Sequence, residues 1–165
     1  MRKVVLLILV LALLPAVIFA QLGVGGAAFY KSPVLLGQQL DLNNHNVNQF
    51  AFGGDLRFKL GLFQAEGLVF YCAGSQVSGL MTFLDAGLAL DVAIVRLSLG
   101  AGPNIMYNFN ATKPVQMGLN AKIGGDIMLG KVSVGLSYIM SLAISNSVDV
   151  NTASGLLGAQ ILFWM

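Results

Sequence analysis

The stretch that decides the fold is Asn48-Gln49-Phe50-Ala51-Phe52-Gly53-Gly54-Asp55-Leu56-Arg57-Phe58-Lys59-Leu60. Its residues sort by parity. Gln49, Ala51, Gly53, Asp55, Arg57 and Lys59 take the odd positions, and Phe50, Phe52, Gly54, Leu56, Phe58 and Leu60 the even ones. Alternation at period two is the pattern of a strand with one apolar face. A helix would scatter Asp55, Arg57 and Lys59 over different faces.

The alternation recurs along the chain. In 63–71, Gln64 and Glu66 alternate with Phe63, Ala65, Val69 and Tyr71. In 82–91, Asp85, Gly87, Ala89 and Asp91 alternate with Leu84, Ala86, Leu88 and Leu90, and in 95–102 Arg96, Ser98, Gly100 and Gly102 alternate with Val95, Leu97, Leu99 and Ala101. Residues 116–128 set Gln116, Gly118, Asn120, Lys122, Gly124 and Asp126 against Met117, Leu119, Ala121, Ile123 and Ile127. Residues 132–140 set Ser133, Gly135 and Ser137 against Val132, Val134, Leu136, Tyr138 and Met140. The segment 155–165 opposes Gly158 and Gln160 to Leu157, Ala159, Ile161 and Phe163. The pattern is weakest in 22–30, where Leu22, Val24, Ala28 and Tyr30 oppose Gly23, Gly25, Ala27 and Phe29.

These are eight strands, and their connections alternate in length. Short turns fall near Gly61-Leu62, Val92-Ala93 and Leu129-Gly130, and long polar connections near 31–48, 72–81, 103–115 and 141–154. An even strand number with short turns at one end and longer loops at the other is the arrangement of an outer-membrane barrel. Segments of about 9–11 residues suit a tilted membrane strand. Aromatic residues fall in two bands. Tyr30, Phe50, Tyr71, Tyr107 and Tyr138 lie towards the long connections, and Phe58, Phe63, Phe163 and Trp164 towards the short turns. Two such girdles are expected where a barrel meets the two membrane interfaces.

Composition agrees. Of 165 residues, 56% are hydrophobic and only 10% charged, against about 25% charged in an ordinary soluble domain. Mean hydropathy is +0.79. Low charge with high apolar content excludes disorder, which needs the reverse. Nine Lys and Arg in all are too few for a basic nucleic-acid surface, so no nucleic acid is expected as a partner.

The chain opens on Arg2-Lys3, an apolar run Val4–Leu14, Pro15, and Ala16–Ala20. This is a secretory signal pattern, with removal expected after Ala20. Residues 1–20 are therefore read as a cleaved signal peptide and 21–165 as one barrel domain. The remainder carries seven basic and seven acidic residues, once Arg2 and Lys3 are set aside. A single cysteine, Cys72, allows no internal disulfide and reads as a packed thiol among apolar neighbours.

Two other architectures can be weighed. A lipocalin-like soluble barrel has the same period, with its apolar face inward. Its outer face would then carry the Gly, Ala and Ser parity, with about one charge per strand, too few for solubility. A helical membrane protein could use 67–84, which has no charge, but Asp85, Asp91, Arg96, Lys122 and Asp126 would then need helical partners.

The chain resembles the small eight-stranded outer-membrane barrels of the OmpA/OmpX type, over the whole of 21–165. The resemblance rests on the architecture and on the C-terminal strand Leu157–Met165, which is similar to an outer-membrane assembly signal. Members usually end on an aromatic residue; here the end is Phe163-Trp164-Met165, with Phe163 and Met165 on the outward parity. No motif assigns a subfamily. The resemblance implies an all-β, eight-stranded antiparallel up-and-down transmembrane barrel in a bacterial outer membrane. Its implied partners are outer-membrane lipid, the barrel-assembly machinery and an extracellular ligand held by the long loops.

The inward parity predicts a lumen ionic network of Asp55, Glu66, Asp85, Asp91 and Asp126 with Arg57, Lys59, Arg96 and Lys122. Charges buried in a barrel need partners to offset desolvation. Eight strands enclose a space that side chains just fill, so the expectation is a filled lumen rather than a wide pore. Small inward residues (Gly53, Gly87, Gly100, Gly102, Gly118, Gly124, Gly135, Gly158) either leave a narrow water path or make room for the Arg and Lys opposite; close packing favours the second.

Catalysis has one candidate. Some envelope-lipid-modifying enzymes are eight-stranded barrels with a His near the outer surface, and the sole histidine is His45, within Asn43-Asn44-His45-Asn46. A general base needs a partner within hydrogen-bond reach. Asp41 is near in sequence, and Ser32, Ser75, Ser78 and Ser145 lie on expected loops, but none has diagnostic spacing. One His and one Cys cannot supply the usual metal-ligand set. The glycine stretches Gly23–Gly26 and Gly100–Gly102 have no following helix to bind phosphate. No cofactor or metal is expected. The loops are rich in Asn, Gln, Ser and Thr, with Lys31, Asp41, Lys113 and Asp149 as their main charges; polar loops on a rigid scaffold suit surface contact. Asn110-Ala111-Thr112 fits an acceptor pattern too short to be specific. The expected role is structural or surface-interacting and not enzymatic, with a narrow porin-like channel for small solutes as the alternative and lipid modification third.

Overall fold

A computed structural model describes residues 20–33, 50–72, 78–112, 114–143 and 154–165. They form eight antiparallel strands: β1 (Ala20–Pro33), β2 (Phe50–Leu60), β3 (Phe63–Cys72), β4 (Gly79–Val92), β5 (Val95–Asn108), β6 (Val115–Leu129), β7 (Val132–Ala143) and β8 (Ser154–Trp164). Each strand pairs with the next, and β8 returns to β1, closing the barrel. Closure leaves no open edge, so every strand finds ladder partners on both sides. The seam runs from Gly23↔Trp164 to Pro33↔Ser154. It extends one residue further, where Met165 N donates to Leu22 O at 2.8 Å.

Three connections are two-residue turns, at Gly61-Leu62, Ala93-Ile94 and Gly130-Lys131. The first residue of each has positive φ: 60° at Gly61, 53° at Ala93 and 70° at Gly130. Such primed turns match the twist of the strands they join. The remaining connections leave from the opposite end of the barrel.

Strands run a few residues into several of the expected connections, and furthest at the end of β5. The segment 103–115, expected as a long connection, is mostly strand, because β5 runs on through Pro103 to Asn108. Proline has no N–H for a ladder. The gap is confined to one side: β4–β5 pairing lapses between Phe83↔Asn104 and Ala86↔Ala101, while Pro103 stays in register with Leu119 of β6.

Burial is inverted relative to a soluble barrel. Leu56, Leu84, Leu99, Ile123, Leu136 and Ile161 are all more than half exposed on the outer face, while Arg57 and Asp126 are fully buried within. The lipocalin-like arrangement would require the opposite.

Candidate functional site in the barrel lumen

The lumen holds two layers of different chemistry. Towards the short turns it is ionic. Arg57 of β2 is its hub. The guanidinium meets three carboxylates: Asp55 at 2.7 Å, Glu66 of β3 at 3.1 Å and Asp126 of β6 at 2.9 Å. The planar fork of arginine suits this multiple recognition. Lys122 Nζ donates to Glu66 Oε1, and Asn120 Nδ2 donates to Asp85 Oδ1. Gln160 Nε2 donates to Asp126 Oδ1 at 3.0 Å and accepts from Ser137 Oγ at 2.8 Å. These contacts join strands far apart in sequence, so the network clamps the barrel across its interior.

A smaller cluster closes the short-turn mouth. Asp91 is partly exposed there and receives Lys59 Nζ at 2.9 Å and the Arg96 guanidinium. Arg96 also donates to Gln21 Oε1 at 2.7 Å and lies 4.2 Å above the Trp164 ring, a cation–π contact. Trp164 corrects the sequence reading. Assigned to an outer girdle, it faces the lumen instead, 5% exposed, with its indole N–H donating to Ser133 Oγ at 2.9 Å. The physical reason is parity: Trp164 shares it with Gln160 and Leu162, both buried, and Gly23 opposite leaves the ring its room, since a Cβ there would sit 3.0 Å from it.

Towards the long connections the lumen is apolar, a layer the sequence reading did not contain. Phe29, Ala51, Leu68, Phe70, Cys72, Phe83 and Ile139 are fully buried, joined by Ala27, Met81 and Leu156. Phe70 packs at 4.7 Å from Phe29 and 5.9 Å from Phe83, ring centroid to centroid. The signal for it was parity once more: Leu68 and Phe70 continue the face of Gln64 and Glu66, and Phe83 that of Asp85. Asn104 Nδ2 donates to Ser141 Oγ at 2.9 Å within the same end of the lumen.

Inward glycines do make room for side chains, though not for the Arg and Lys expected. A Cβ on Gly158 would strike the Phe29 ring, one on Gly135 the Asp126 carboxylate, and one on Gly118 the Asn104 amide. At Gly53, Gly87 and Gly102 the obstacle would be the neighbouring strand's backbone.

On the outside, Phe52, Tyr71, Tyr107 and Phe109 are exposed near the long-connection end, and Phe58, Phe63 and Phe163 near the short turns. Tyr30 and Phe50 meet edge to face at 5.3 Å, as do Tyr107 and Phe109 at 5.6 Å. Tyr138 covers Gly155 on the outer face. His45, Asp41, Ser75, Ser145, Lys113 and Asp149 lie outside the described residues, as do residues 1–19. Among the described residues no group of three or more His, Cys, Asp and Glu is placed to hold a metal ion.

No protein-family model matches the chain, and no curated protein is significantly similar in sequence. Solved structures are similar in fold. The N-terminal β-barrel domain of Pseudomonas aeruginosa OprF superposes with a TM-score of 0.62 at 14% identity, over 87% of this chain and 97% of that one. Neisserial surface protein A (NspA) gives 0.48 at 16% identity, over 87% and 96%. Ail, the attachment invasion locus protein of Yersinia pestis, gives 0.46 at 16%, over 88% and 97%. The first of these shows that the chain has the fold of an eight-stranded outer-membrane β-barrel, with the subfamily unassigned.

Proposed function

We propose that the chain is exported, loses residues 1–20 and spans a bacterial outer membrane as a closed barrel with a structural or surface-contact role. It does no chemistry of its own. Outer-membrane lipid covers its apolar face, the barrel-assembly machinery inserts it, and the long connections meet an extracellular ligand. The observation that carries this reading is the doubly blocked lumen. The Arg57 network fills one half and the Phe29–Phe70–Phe83 layer the other. An ion crossing the apolar layer would lose its hydration with nothing in exchange.

Single-channel recording in planar bilayers tests it. The expected trace has no stable open level. A reproducible open level would replace the closed barrel by a narrow channel for small solutes.

A further inference from the structure

The ionic layer is short of one positive charge, and the shortage has an address. Five inward carboxylates (Asp55, Glu66, Asp85, Asp91, Asp126) face four inward cations (Arg57, Lys59, Arg96, Lys122) in the two clusters. Four of the carboxylates have a cation within salt-bridge distance. Asp85 has none among the described residues. It is 6% exposed; Oδ1 accepts from Asn120, and Oδ2 has no partner.

Asp85 lines a cavity of about 10 Å³, the room of a single water-sized sphere. Gln64, Glu66, Ser98 and Lys122 line it too, and Gly87 and Gly100, in register on β4 and β5, put no side chain into it. Gln64 Oε1 and Ser98 Oγ are likewise buried without partners. Three residues that line this one small space thus each carry a buried oxygen without a partner, one of them anionic.

We propose that this cavity is a binding site for one small monovalent cation of the sodium kind, held by Asp85 Oδ2, Gln64 Oε1 and Ser98 Oγ. One such ion brings the lumen to neutrality. A buried unpaired carboxylate is costly, and hard oxygen donors suit a hard cation. A single charge matches the net deficit of the whole lumen, and Lys122 beside the site opposes a larger one.

The test uses the full chain exported and purified in detergent, unfolded in urea and refolded in sodium chloride or in choline chloride at equal ionic strength. Choline is too large for the cavity, so general screening cancels. Trp164, the sole tryptophan and a lumen residue, reports unfolding by fluorescence. Sodium is expected to raise the urea midpoint by about 0.5 M in a saturable way. Two variants decide the location. Asp85→Asn removes the unpaired charge, and Gly100→Ala fills the cavity while keeping every charge. The added Cβ would come no nearer than 3.4 Å to Asp85 Cβ, so Gly100→Ala is expected to fold even where Asp85→Asn fails. The sodium gain should vanish in both. Equal midpoints in the two salts for the native chain would mean that water fills the cavity and would overturn the proposal. A sodium gain that survives Gly100→Ala would overturn it as well, by placing the ion elsewhere.

Discussion

Arg57 shows what one inward side chain does for the barrel. It is fully buried and holds three carboxylates from three strands. Removing the cation from such a group leaves buried anions uncompensated, which costs about 3–5 kcal/mol. Arg57→Leu should therefore lower the unfolding free energy by about that amount, measured by urea titration in micelles. Arg57→Lys keeps the charge but loses the fork, and should recover only part of the loss. Unchanged stability in Arg57→Leu would mean that the network contributes nothing to holding the barrel. Arg57 was legible as an inward charge from the parity of 48–60 alone. Asp126 was legible as inward too, but its pairing with Arg57 was not, because a contact between residues 69 positions apart depends on the register of a closed sheet. Trp164 was misplaced for a related reason. Its residue type suggests an interface, but its parity points inward, and in a strand the period of two governs where a side chain goes.

At the scale of the strand, alternation was visible only where the two faces differ. β2 alternates clearly because its inner face carries Asp55, Arg57 and Lys59. The second half of β3, Gly67–Cys72, is apolar on both faces, since Leu68, Phe70 and Cys72 point into the lumen while Val69 and Tyr71 point out. Such a run shows no alternation of polarity of its own; its facing follows only by extending the parity of Gln64 and Glu66. The segment 103–115 departs in another way: it is expected as a connection, while β5 runs on through Pro103 with a lapse in one ladder. The turns invite a direct check. Ala93 stands at φ 53°, where the corresponding residues of the other two turns are glycine. A side chain in that region costs about 1–2 kcal/mol, partly offset by the entropy glycine loses on folding. Ala93→Gly is expected to raise stability by roughly 0.5–1 kcal/mol, seen as a higher urea midpoint with an unchanged slope. A lower midpoint would show that the turn tolerates Ala93 without strain.

For the whole molecule, the question is which solvent the outer face was built for. Large apolar side chains cover it, and most of the charges among the described residues lie inside. In water this arrangement would expose far more apolar surface than a soluble monomer carries. In a bilayer the same surface is matched to its surroundings, and the ladder closed between β1 and β8 leaves no open sheet edge facing hydrocarbon among the described strands. Depth then becomes a measurable property of each outward residue. Ile123 and Leu129 lie on the same strand, share one parity and are each 60% exposed. Ile123 sits in the middle of β6, and Leu129 ends it beside the Gly130-Lys131 turn. Arginine on the lipid face costs about 2–4 kcal/mol at the bilayer midplane and about 0–1 near the interface. Ile123→Arg should therefore be strongly destabilising for the barrel folded in lipid vesicles, while Leu129→Arg should be nearly silent. A water-exposed outer face predicts something else, because surface substitutions of this kind stay within about 0.5 kcal/mol at both positions. Equal, small effects at the two sites would place the outer face in water and remove the membrane reading with it. A gap of a few kcal/mol between two residues of equal exposure has no source in the protein's own packing, and would have to come from the depth of lipid around them.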